Sequence, residues 1–514
     1  MELLVPIALY GWLPVVFFIF NGFRGHRGIA AAYVIAWLFL PSTGIPFSGL
    51  PDYTKVTATT IGTLLAIMVL EPRRIFAFRF HWVDLFMVVF CLCPLASAIS
   101  NGLGLWDGGS NVLNLILPWG LPYLFGRLYF DSFDKLTDLA KAIFLGGLVY
   151  IPFCLIEVRM SPQFYNWTYG PRMNTLHSYR YGGWRPVVFL ETGLELGMWM
   201  TAASLIGIAL WYSGAIRRIN GVPLRYLLGA LLLTTLLCKS TGALMLLIFG
   251  AGVLIAARMI RHPWPLYVAV MIPLCYVTVR TANLNDGSQV VQLSKAAFGA
   301  ERAHSLDFRF QNETLLVQRA LEAPLFGWGG WNREKVLDEY GEDTTIVDGL
   351  WVIHFGKYGM VSLLSLLGAF LIAPTIACKR FTRSSWRYAE VAPTLAIALL
   401  LLLYMIDCLL NAMVNPIYSL CLGAIATLAF APTRLLVNEP AEDDEYDAAP
   451  AVVAARLWPP RPALWPVPVS DVALSAANDS TEWLESQTNE DEDQRWEGRD
   501  GRQRYLPSTG GAMR

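Results

Sequence analysis

Residues 3–20, LLVPIALYGWLPVVFFIF, form an apolar run without a single charged residue. An α-helix needs about 17 to 25 such residues to cross the hydrocarbon core of a bilayer. Similar runs recur along the chain, for example at 83–98 and 395–410. The 514 residues are 55% hydrophobic and 15% charged, whereas soluble domains are about 25% charged. The sequence therefore predicts an all-α, polytopic integral membrane protein.

The apolar runs predict about 12–13 transmembrane helices. The expected spans are 3–20, 28–42, 57–71, 82–99, 111–127, 136–156, 186–212, 223–238, 240–257, 264–279, 347–375, 388–410 and 413–433. Lys and Arg crowd every second connection, at 24–27, 73–79, 217–225, 258–261 and 379–387. Because such residues concentrate in cytoplasmic loops, this alternation predicts an N-terminus outside the cytoplasm and a C-terminus inside it.

The composition changes near residue 436 and divides the chain into two parts. Residues 1–435 form the predicted membrane domain, and residues 436–514 form an acidic tail with Pro, Trp and charge blocks at 442–445 and 490–493. Such a tail buries too little apolar surface to offset chain entropy. We therefore expect it to be disordered and cytoplasmic, and its tryptophans are candidate anchors for other proteins.

Two long outer loops are predicted, at about 157–185 and 280–346. The first loop contains no acid after Glu157, and its arginines alternate with aromatic residues: Arg159, Arg172, Arg180 and Arg185. An anionic ligand with sugar faces would explain them, because guanidinium groups match phosphate and aromatic rings stack on sugars. An interfacial aromatic belt with arginines facing lipid phosphates explains the pattern equally well.

Charged residues near the outer ends of the predicted spans are candidate site residues. Glu191 and Glu195 are spaced i, i+4 on a predicted helix just inside the membrane, where carboxylates are usually functional. The alternative is that Glu191 pairs with Arg185 or another arginine of the loop and serves only the fold. In the second loop, Ser305 is expected to cap a helix from about 306 to 323, and an ordinary role for Arg309 is an i, i+4 pair with Glu313.

Further polar groups are expected to face the same compartment. The glycines of GWGGW at 327–331 predict a tight turn that serves either close approach of a ligand or ordinary chain reversal. Asp348 is either an acid/base group or a carboxylate favoured by a helix N-terminus. Asp407 and Asn411 either contact a substrate or form hydrogen bonds between helices.

Four short segments between residues 130 and 430 follow one another in a specific order. Arg185 in GGWRPVVF comes at the end of the first long outer loop, and KSTGA at 239–243 is a start of a helix with small residues. Arg309 is followed by PLFGWG at 324–329, and Asp348-Gly349 is followed by Gly359. In this order the segments resemble the superfamily of O-antigen ligases and O-antigen (bacterial polysaccharide) polymerases. In that superfamily an arginine begins a helix after the loop, a Ser-Arg-Gly-like helix start follows, a second arginine precedes a glycine turn, and a His-Asn pair takes the position of Asp348-Gly349.

The resemblance implies a helical membrane glycosyltransferase of the bacterial inner membrane, with its active site at the membrane–periplasm boundary. The implied donor is a glycan on polyprenyl diphosphate, transferred with inversion and without a metal or cofactor. In that scheme Arg185 and Arg309 would bind the diphosphate, assisted by Arg172 or Arg180.

The base in the same scheme would be Asp348 or Glu191. Aspartate in place of the family's histidine favours a polymerase or a divergent transferase over a ligase. The expected partners are the lipid-linked glycan, membrane lipid and other assembly proteins that would bind the tail, but not nucleic acid. The main alternative is a transporter or flippase for polysaccharide or lipid-linked oligosaccharide, and a second is a non-catalytic assembly or sensor protein.

Overall fold

The computed structural model describes residues 4–171, 178–180, 182–337, 340, 343, 345–346, 348–382 and 389–431, and within them the fold is almost entirely helical. The helices are α1 (Leu4–Gly22), α2 (His26–Phe39), α3 (Lys55–Leu70), α4 (Asp84–Ser100), α5 (Gly104–Leu115), α6 (Leu121–Tyr129), α7 (Phe133–Met160), α8 (Phe164–Tyr169), α9 (Gly193–Ser213), α10 (Leu224–Leu237), α11 (Thr241–Ile260), α12 (Trp264–Thr281), α13 (Ser288–Phe298), α14 (Ala300–Leu321), α15 (Leu350–Phe381), α16 (Ala392–Asp407) and α17 (Pro416–Phe430). A 3₁₀ turn covers Pro72–Ala77, and a π-helical segment, Ile116–Gly120, joins α5 to α6. The prediction of a mostly helical fold is confirmed.

The sheet content is limited to two small antiparallel hairpins in the described residues. Strand β1 (Tyr179–Arg180) pairs with β2 (Gly183–Trp184), and β3 (Arg218–Ile219) pairs with β4 (Val222–Pro223). The first hairpin lies in the first predicted outer loop, and the second lies in a basic connection. The predicted tail at 436–514 and Arg172 lie outside the described residues.

Six of the helices, α1, α7, α9, α11, α12 and α15, are long and apolar enough to cross a membrane. Shorter apolar helices are α3, α4, α10, α16 and α17. Each predicted span contains a helix, but several helix ends differ from the predicted ones by up to seven residues. The helix expected from residue 186 begins at Gly193, because the Thr192 side chain accepts a hydrogen bond from the Glu195 backbone N–H and caps it. Residues 185–192 are therefore non-helical.

Helices α9 and α16 form the centre of the bundle, and nearly all of their side chains are buried. Helix α9 packs against α7, α10, α11 and α16, while α15 packs against α4, α14, α16 and α17. Glycines allow the closest approach, between α6 and α17. A Cβ on Gly423 would lie 2.0 Å from the Tyr123 carbonyl oxygen, so only glycine fits there. Small residues at such crossings are typical of helices packed in membranes.

The basic connections are tied together by ion pairs. Asp138 of α7 accepts a 2.8 Å hydrogen bond from Arg27 beside α2. The buried carboxylate of Asp84 accepts two from Arg127 of α6, at 2.8 and 3.1 Å, and one from the Tyr123 hydroxyl. These cations of the predicted cytoplasmic side therefore act in the packing of neighbouring helices.

Helix α15 is broken at Gly359, where φ is 73° and ψ is −169°. The PLFGWG turn fills the break. Backbone N–H groups of Trp328 and Gly329 donate to the carbonyls of Gly356 and Lys357 at 2.9 and 2.8 Å. In the opposite direction, the backbone N–H groups of Met360 and Val361 donate to the carbonyls of residues 324 and 325.

At Gly327 and Gly359 two backbones approach each other closely. A Cβ on Gly327 would lie 2.5 Å from the Lys357 carbonyl carbon, and one on Gly359 would lie 2.3 Å from the Leu325 carbonyl oxygen. Close approach of a ligand and ordinary chain reversal were the alternatives predicted for the glycines of GWGGW. Gly327 serves the contact between backbones, and approach of a ligand to this turn stays a prediction. Asn101 of α4 adds a hydrogen bond of 2.8 Å to the Gly327 carbonyl.

The helix of the second outer loop starts earlier than predicted. Helix α14 begins at Ala300 after Gly299, whose φ of 90° ends the preceding helix α13, so Ser305 lies inside α14 and does not cap it. With 22 residues, α14 is also longer than the helix predicted from about 306 to 323.

Candidate functional site

Arg309 is the centre of a polar cluster formed by residues that are distant in sequence. Its Nε lies 3.3 Å from Oδ2 of Asp348. Its Nη1 donates to the Leu410 carbonyl at 2.5 Å and to Oδ1 of Asn411 at 3.0 Å. The other terminal nitrogen, Nη2, makes no hydrogen bond with the described residues, and a quarter of the side chain is exposed. The guanidinium is therefore held on two edges and open on the third.

The turn after α16 positions this cluster. Asn411 donates from Nδ2 to Oδ1 of Asp407 at 2.9 Å, which leaves its amide oxygen for Arg309. The first N–H of α15, that of Leu350, donates to the carbonyls of Cys408 and Asn411. The predicted alternatives for Asp407 and Asn411 are thus partly resolved: both form hydrogen bonds within the cluster, and contact with a substrate stays a prediction.

Gly349 is required for this arrangement. A Cβ at this position would lie 2.6 Å from the Leu409 carbonyl oxygen. Because the chain approaches the 408–411 turn so closely, the adjacent Asp348 carboxylate is held beside Arg309. The Asp348 side chain remains about one-third exposed.

The expected pair between Arg309 and Glu313 was wrong. Glu313 is buried and binds Arg280 of α12, with Nε and Oε1 2.5 Å apart, while the Tyr276 hydroxyl donates to both carboxylate oxygens. Arg280 also donates to Thr314 and to the Phe310 carbonyl. Burial raises the pKa of Glu313 above its ordinary value, although the hydrogen bonds from Arg280 and Tyr276 act in the opposite direction. This pair anchors α14 on α12 and leaves Arg309 to the site.

Arg185 forms a second polar group with the start of α11. It is buried, and its Nη2 donates to the Ser240 hydroxyl at 2.8 Å. The side chain lies over Gly193, where a Cβ would be 2.5 Å from Nε. The structure thus brings together Arg185 and Ser240, two of the positions on which the family resemblance rests. The expected pairing of Arg185 with Glu191 does not occur.

Glu191 and Glu195 do not share a helix face, because Glu191 precedes α9. The Glu191 side chain is exposed, and its backbone N–H donates to Oε2 of the buried Glu195 at 2.9 Å. Glu195 therefore completes the cap of α9 together with Thr192. The prediction that both carboxylates lie on one helix was wrong, because Thr192 caps the start of α9 and Glu191 therefore lies before the helix.

Glu157 was expected only to mark the start of the loop, yet it organises the outer segment. Its buried carboxylate accepts four backbone N–H bonds. Oε1 accepts from residues 163 and 164 at 3.0 Å, and Oε2 accepts from Val187 and Val188 at 2.8 and 2.7 Å. A carboxylate can accept several such bonds at once. It thus joins the end of α7, the start of α8 and the segment that follows Arg185.

The two polar groups lie at neighbouring helix ends. Helix α9, which follows Arg185, packs against both α11 and α16. The Tyr418 hydroxyl interacts electrostatically with both Asp407 and Glu195. Arg180 lies on β1 and is half-buried. The Arg309 cluster and the Arg185 group therefore belong to one end of the bundle.

A small cavity of about 10 Å³, close to the space that one water molecule needs, adjoins the Arg309 cluster. Arg309 and Asp348 line it together with the Leu409–Leu410 carbonyl segment and the apolar side chains of Leu316 and Val352. Such a site offers a positive charge for an anion and a carboxylate for a proton. Among the described residues, no group of three or more His, Cys, Asp and Glu is placed to hold a metal ion.

Three polar residues of this region were not singled out by the sequence analysis, because the sequence does not indicate which residues they contact. Asn101 and Arg280 are polar residues at the ends of apolar runs, and that feature alone could have drawn attention to them, whereas Glu334 stands in a polar stretch without such a signal. Glu334 is buried, and its Oε1 lies 3.6 Å from Nζ of Lys357, close to the break in α15.

The fold and this polar end define the protein as a largely helical chain with several apolar helices, as in multi-pass membrane proteins. No protein-family model matches the chain, and the search of curated proteins gave no match either.

Proposed function

We propose that the chain is a membrane-embedded glycosyltransferase of bacterial surface polysaccharide or exopolysaccharide assembly. It polymerises, or ligates, oligosaccharide units carried on polyprenyl diphosphate at the periplasmic face of the inner membrane. About 12–13 helices cross the membrane, with the N-terminus outside and the tail cytoplasmic. Supporting this topology, helices lie at every predicted span, and the basic connections alternate with those that carry Arg185, Arg309 and Asp348.

The observation that carries the proposal is the open edge of Arg309 beside Asp348. A diphosphate leaving group develops negative charge as its bond to the anomeric carbon breaks. Fixed cationic donors stabilise such charge because they need no reorganisation during the reaction. Asn411 and the Leu410 carbonyl fix the guanidinium, and Nη2 remains for a phosphate oxygen.

In the proposed step the acceptor hydroxyl oxygen attacks the anomeric carbon of the donor sugar. The bond from that carbon to the diphosphate oxygen breaks, and both electrons leave with the diphosphate. The hydroxyl proton passes to the Asp348 carboxylate, which serves as general base. One direct displacement inverts the anomeric configuration. The step uses no metal or cofactor, and Arg185 is the second candidate diphosphate ligand.

Glu191 is the weaker candidate base because its side chain lies outside the cluster and is exposed. Arg180 stays a candidate assistant on the hairpin that precedes Arg185. Arg172 belongs to the same loop and keeps the role that the resemblance implies.

The test is turnover of a fluorescent polyprenyl-diphosphate oligosaccharide by purified full-length protein in detergent. We expect longer products from the wild type, a loss of about 100- to 1000-fold in Arg309→Ala, and a similar loss in Asp348→Asn. Arg225→Ala and Asp307→Asn are matched controls, because both residues lie outside the cluster, and they should keep full activity. Intact substrate with the wild type, given donor and acceptor, would reject the proposal.

Asn411 is proposed as a positioning residue for Arg309. Asn411→Ala should reduce kcat about tenfold, because a slightly misplaced group already costs that much or more. Asn411→Gln keeps both the amide oxygen that Arg309 binds and the amide donor to Asp407, and it should recover part of the rate. An effect of Asn411→Ala on folding alone would lower the yield of active protein without this rescue.

A transporter or flippase for lipid-linked oligosaccharide is the second candidate, since such proteins also contain many apolar helices. Transporters usually place ionisable groups near the membrane midplane on broken helices. The break in α15 favours this candidate, but the charged clusters lie at helix ends. Flipping of a fluorescent polyprenyl-diphosphate oligosaccharide in liposomes, without product formation, would support the transporter.

A further inference from the structure

An open pocket of about 360 Å³ lies apart from the Arg309 cluster, between the loop at Gly49, helix α5 and the loop at Trp331. Two tryptophans stand at its edge. Trp106 is 70% exposed and Trp331 is 73% exposed. Lys357 of α15 also lines the pocket. Its volume lies within the range of small-molecule sites, about 300–1,000 Å³.

Helix α5 turns a polar stripe toward this pocket. Asp107, Asn111 and Asn114 are spaced by four and three residues, which places them on one helix face, and all three line the pocket. The amides of Asn111 and Asn114 make no hydrogen bond with the described residues, nor does the amide of Asn332 opposite them. Uncompensated amides beside an apolar run are costly unless they face water or a ligand.

The two largely exposed indoles each have a contact at the ring nitrogen. Trp331 donates from Nε1 to Oδ2 of Asp107 at 3.2 Å. The Trp106 ring lies against Gly49, where a Cβ would be 3.1 Å from Nε1. Trp331 and Asn332 both have positive φ, 59° and 60°. Such strained residues persist where the surrounding structure holds them, often at binding sites.

We propose that this pocket is a carbohydrate-binding site that holds a short oligosaccharide of neutral, hydroxyl-rich sugars. The indole faces of Trp106 and Trp331 stack on the apolar C–H faces of the sugar rings, since the negative face of an aromatic ring attracts them. Asn111, Asn114 and Asn332 bind the hydroxyls, because an amide offers both donors and an acceptor.

We assign this pocket as a subsite for the glycan of the transfer reaction, and this assignment rests on the proposed function. Helix α15 connects the two places. Leu350 at its start follows Asp348, and Lys357 lines the pocket seven residues later, a rise of about 10 Å. A glycan of a few sugars spans such a distance, so one end of a chain bound at the pocket reaches toward the Arg309 cluster.

An interfacial aromatic belt is the competing explanation for the two tryptophans. A belt requires indoles at the membrane surface but no free amides that converge on a concave pocket. Binding of sugar therefore separates the two explanations, and it does so whether or not the protein transfers glycans.

The experiment measures binding to full-length protein in nanodiscs. The probe is a mixture of fluorescently tagged oligosaccharides of two to eight sugars, released by mild acid from the surface polysaccharide of the source cells. We expect saturable binding to the wild type. Trp331→Ala and Asn111→Ala should each weaken it at least about tenfold, the effect of losing a central anchor of an interface.

Two further variants make the result decisive. Trp264→Ala removes a comparably exposed tryptophan that does not line the pocket, and it should bind like the wild type. Arg309→Ala should also bind like the wild type even where transfer is lost, so failure of the proposed reaction does not count as failure of the site. The proposal is overturned if the wild type shows no saturable binding. It is also overturned if Trp331→Ala and Asn111→Ala bind as tightly as the wild type. Asn111 is half-buried and its amide makes no hydrogen bond with the described residues, so its variant keeps the test valid if Trp331→Ala fails to fold.

Discussion

Replacing Gly359 with alanine tests whether the break in α15 is built into the fold. At φ 73° and ψ −169° the residue occupies a region that essentially only glycine adopts, and an L residue there costs about 1–3 kcal/mol. The new Cβ would lie 2.3 Å from the Leu325 carbonyl oxygen, a contact that forces the two backbones apart. The hydrogen bonds from Met360 to Pro324 and from Val361 to Leu325 would then be lost, each worth about 1 kcal/mol.

The free energy of unfolding should therefore fall by about 3–5 kcal/mol, obtained by adding the strain to the two lost hydrogen bonds. Reversible unfolding of the purified protein by SDS in mixed micelles measures the change. Gly252→Ala is the matched control, because that helical glycine has no neighbour within 4 Å of a new Cβ. If Gly359→Ala were as stable as Gly252→Ala, the backbone contact between the turn and the broken helix would not exist in the membrane.

Three further predictions concern the loops and the topology. Glu157→Gln should lower the free energy of unfolding by about 2–3 kcal/mol, because its amide nitrogen would face backbone N–H groups that now donate to the carboxylate; Glu322→Gln, at an exposed carboxylate, is its control in the same unfolding assay. Because burial raises the folded-state pKa of Glu313, the folded state binds more protons, and stability should fall as pH rises through that pKa. Glu313→Gln should remove this slope, and an unchanged slope would contradict the assignment. For the topology, single cysteines are introduced in a background without the exposed Cys275. A cysteine at position 332 should react with an impermeant maleimide added outside the cell. A cysteine at position 220 should react only after the membrane is permeabilised. The reverse labelling pattern would show that the chain has the opposite orientation in the membrane.

The sequence by itself predicted the helical class and the approximate place of every apolar helix. Run length, hydropathy and the alternation of basic connections are local properties, and the bilayer restricts what such runs can form. The order of Arg185, the 239–243 segment, Arg309, the glycine turn and Asp348 also indicated which residues to examine. Helix ends were less predictable, because one capping residue such as Thr192 moves a boundary by several positions.

The tertiary structure decided which groups meet. Arg309 binds Asn411 and not Glu313, its neighbour on the same helix, because α14 packs so that Glu313 meets Arg280 of α12. Positions 327 and 359 accept only glycine, because two backbones touch there and a Cβ would clash. The two indoles of the proposed carbohydrate pocket, Trp106 and Trp331, belong to segments far apart in sequence. Such contacts arise from the packing of whole helices, and spacing along one segment holds no information about the partner that another segment provides.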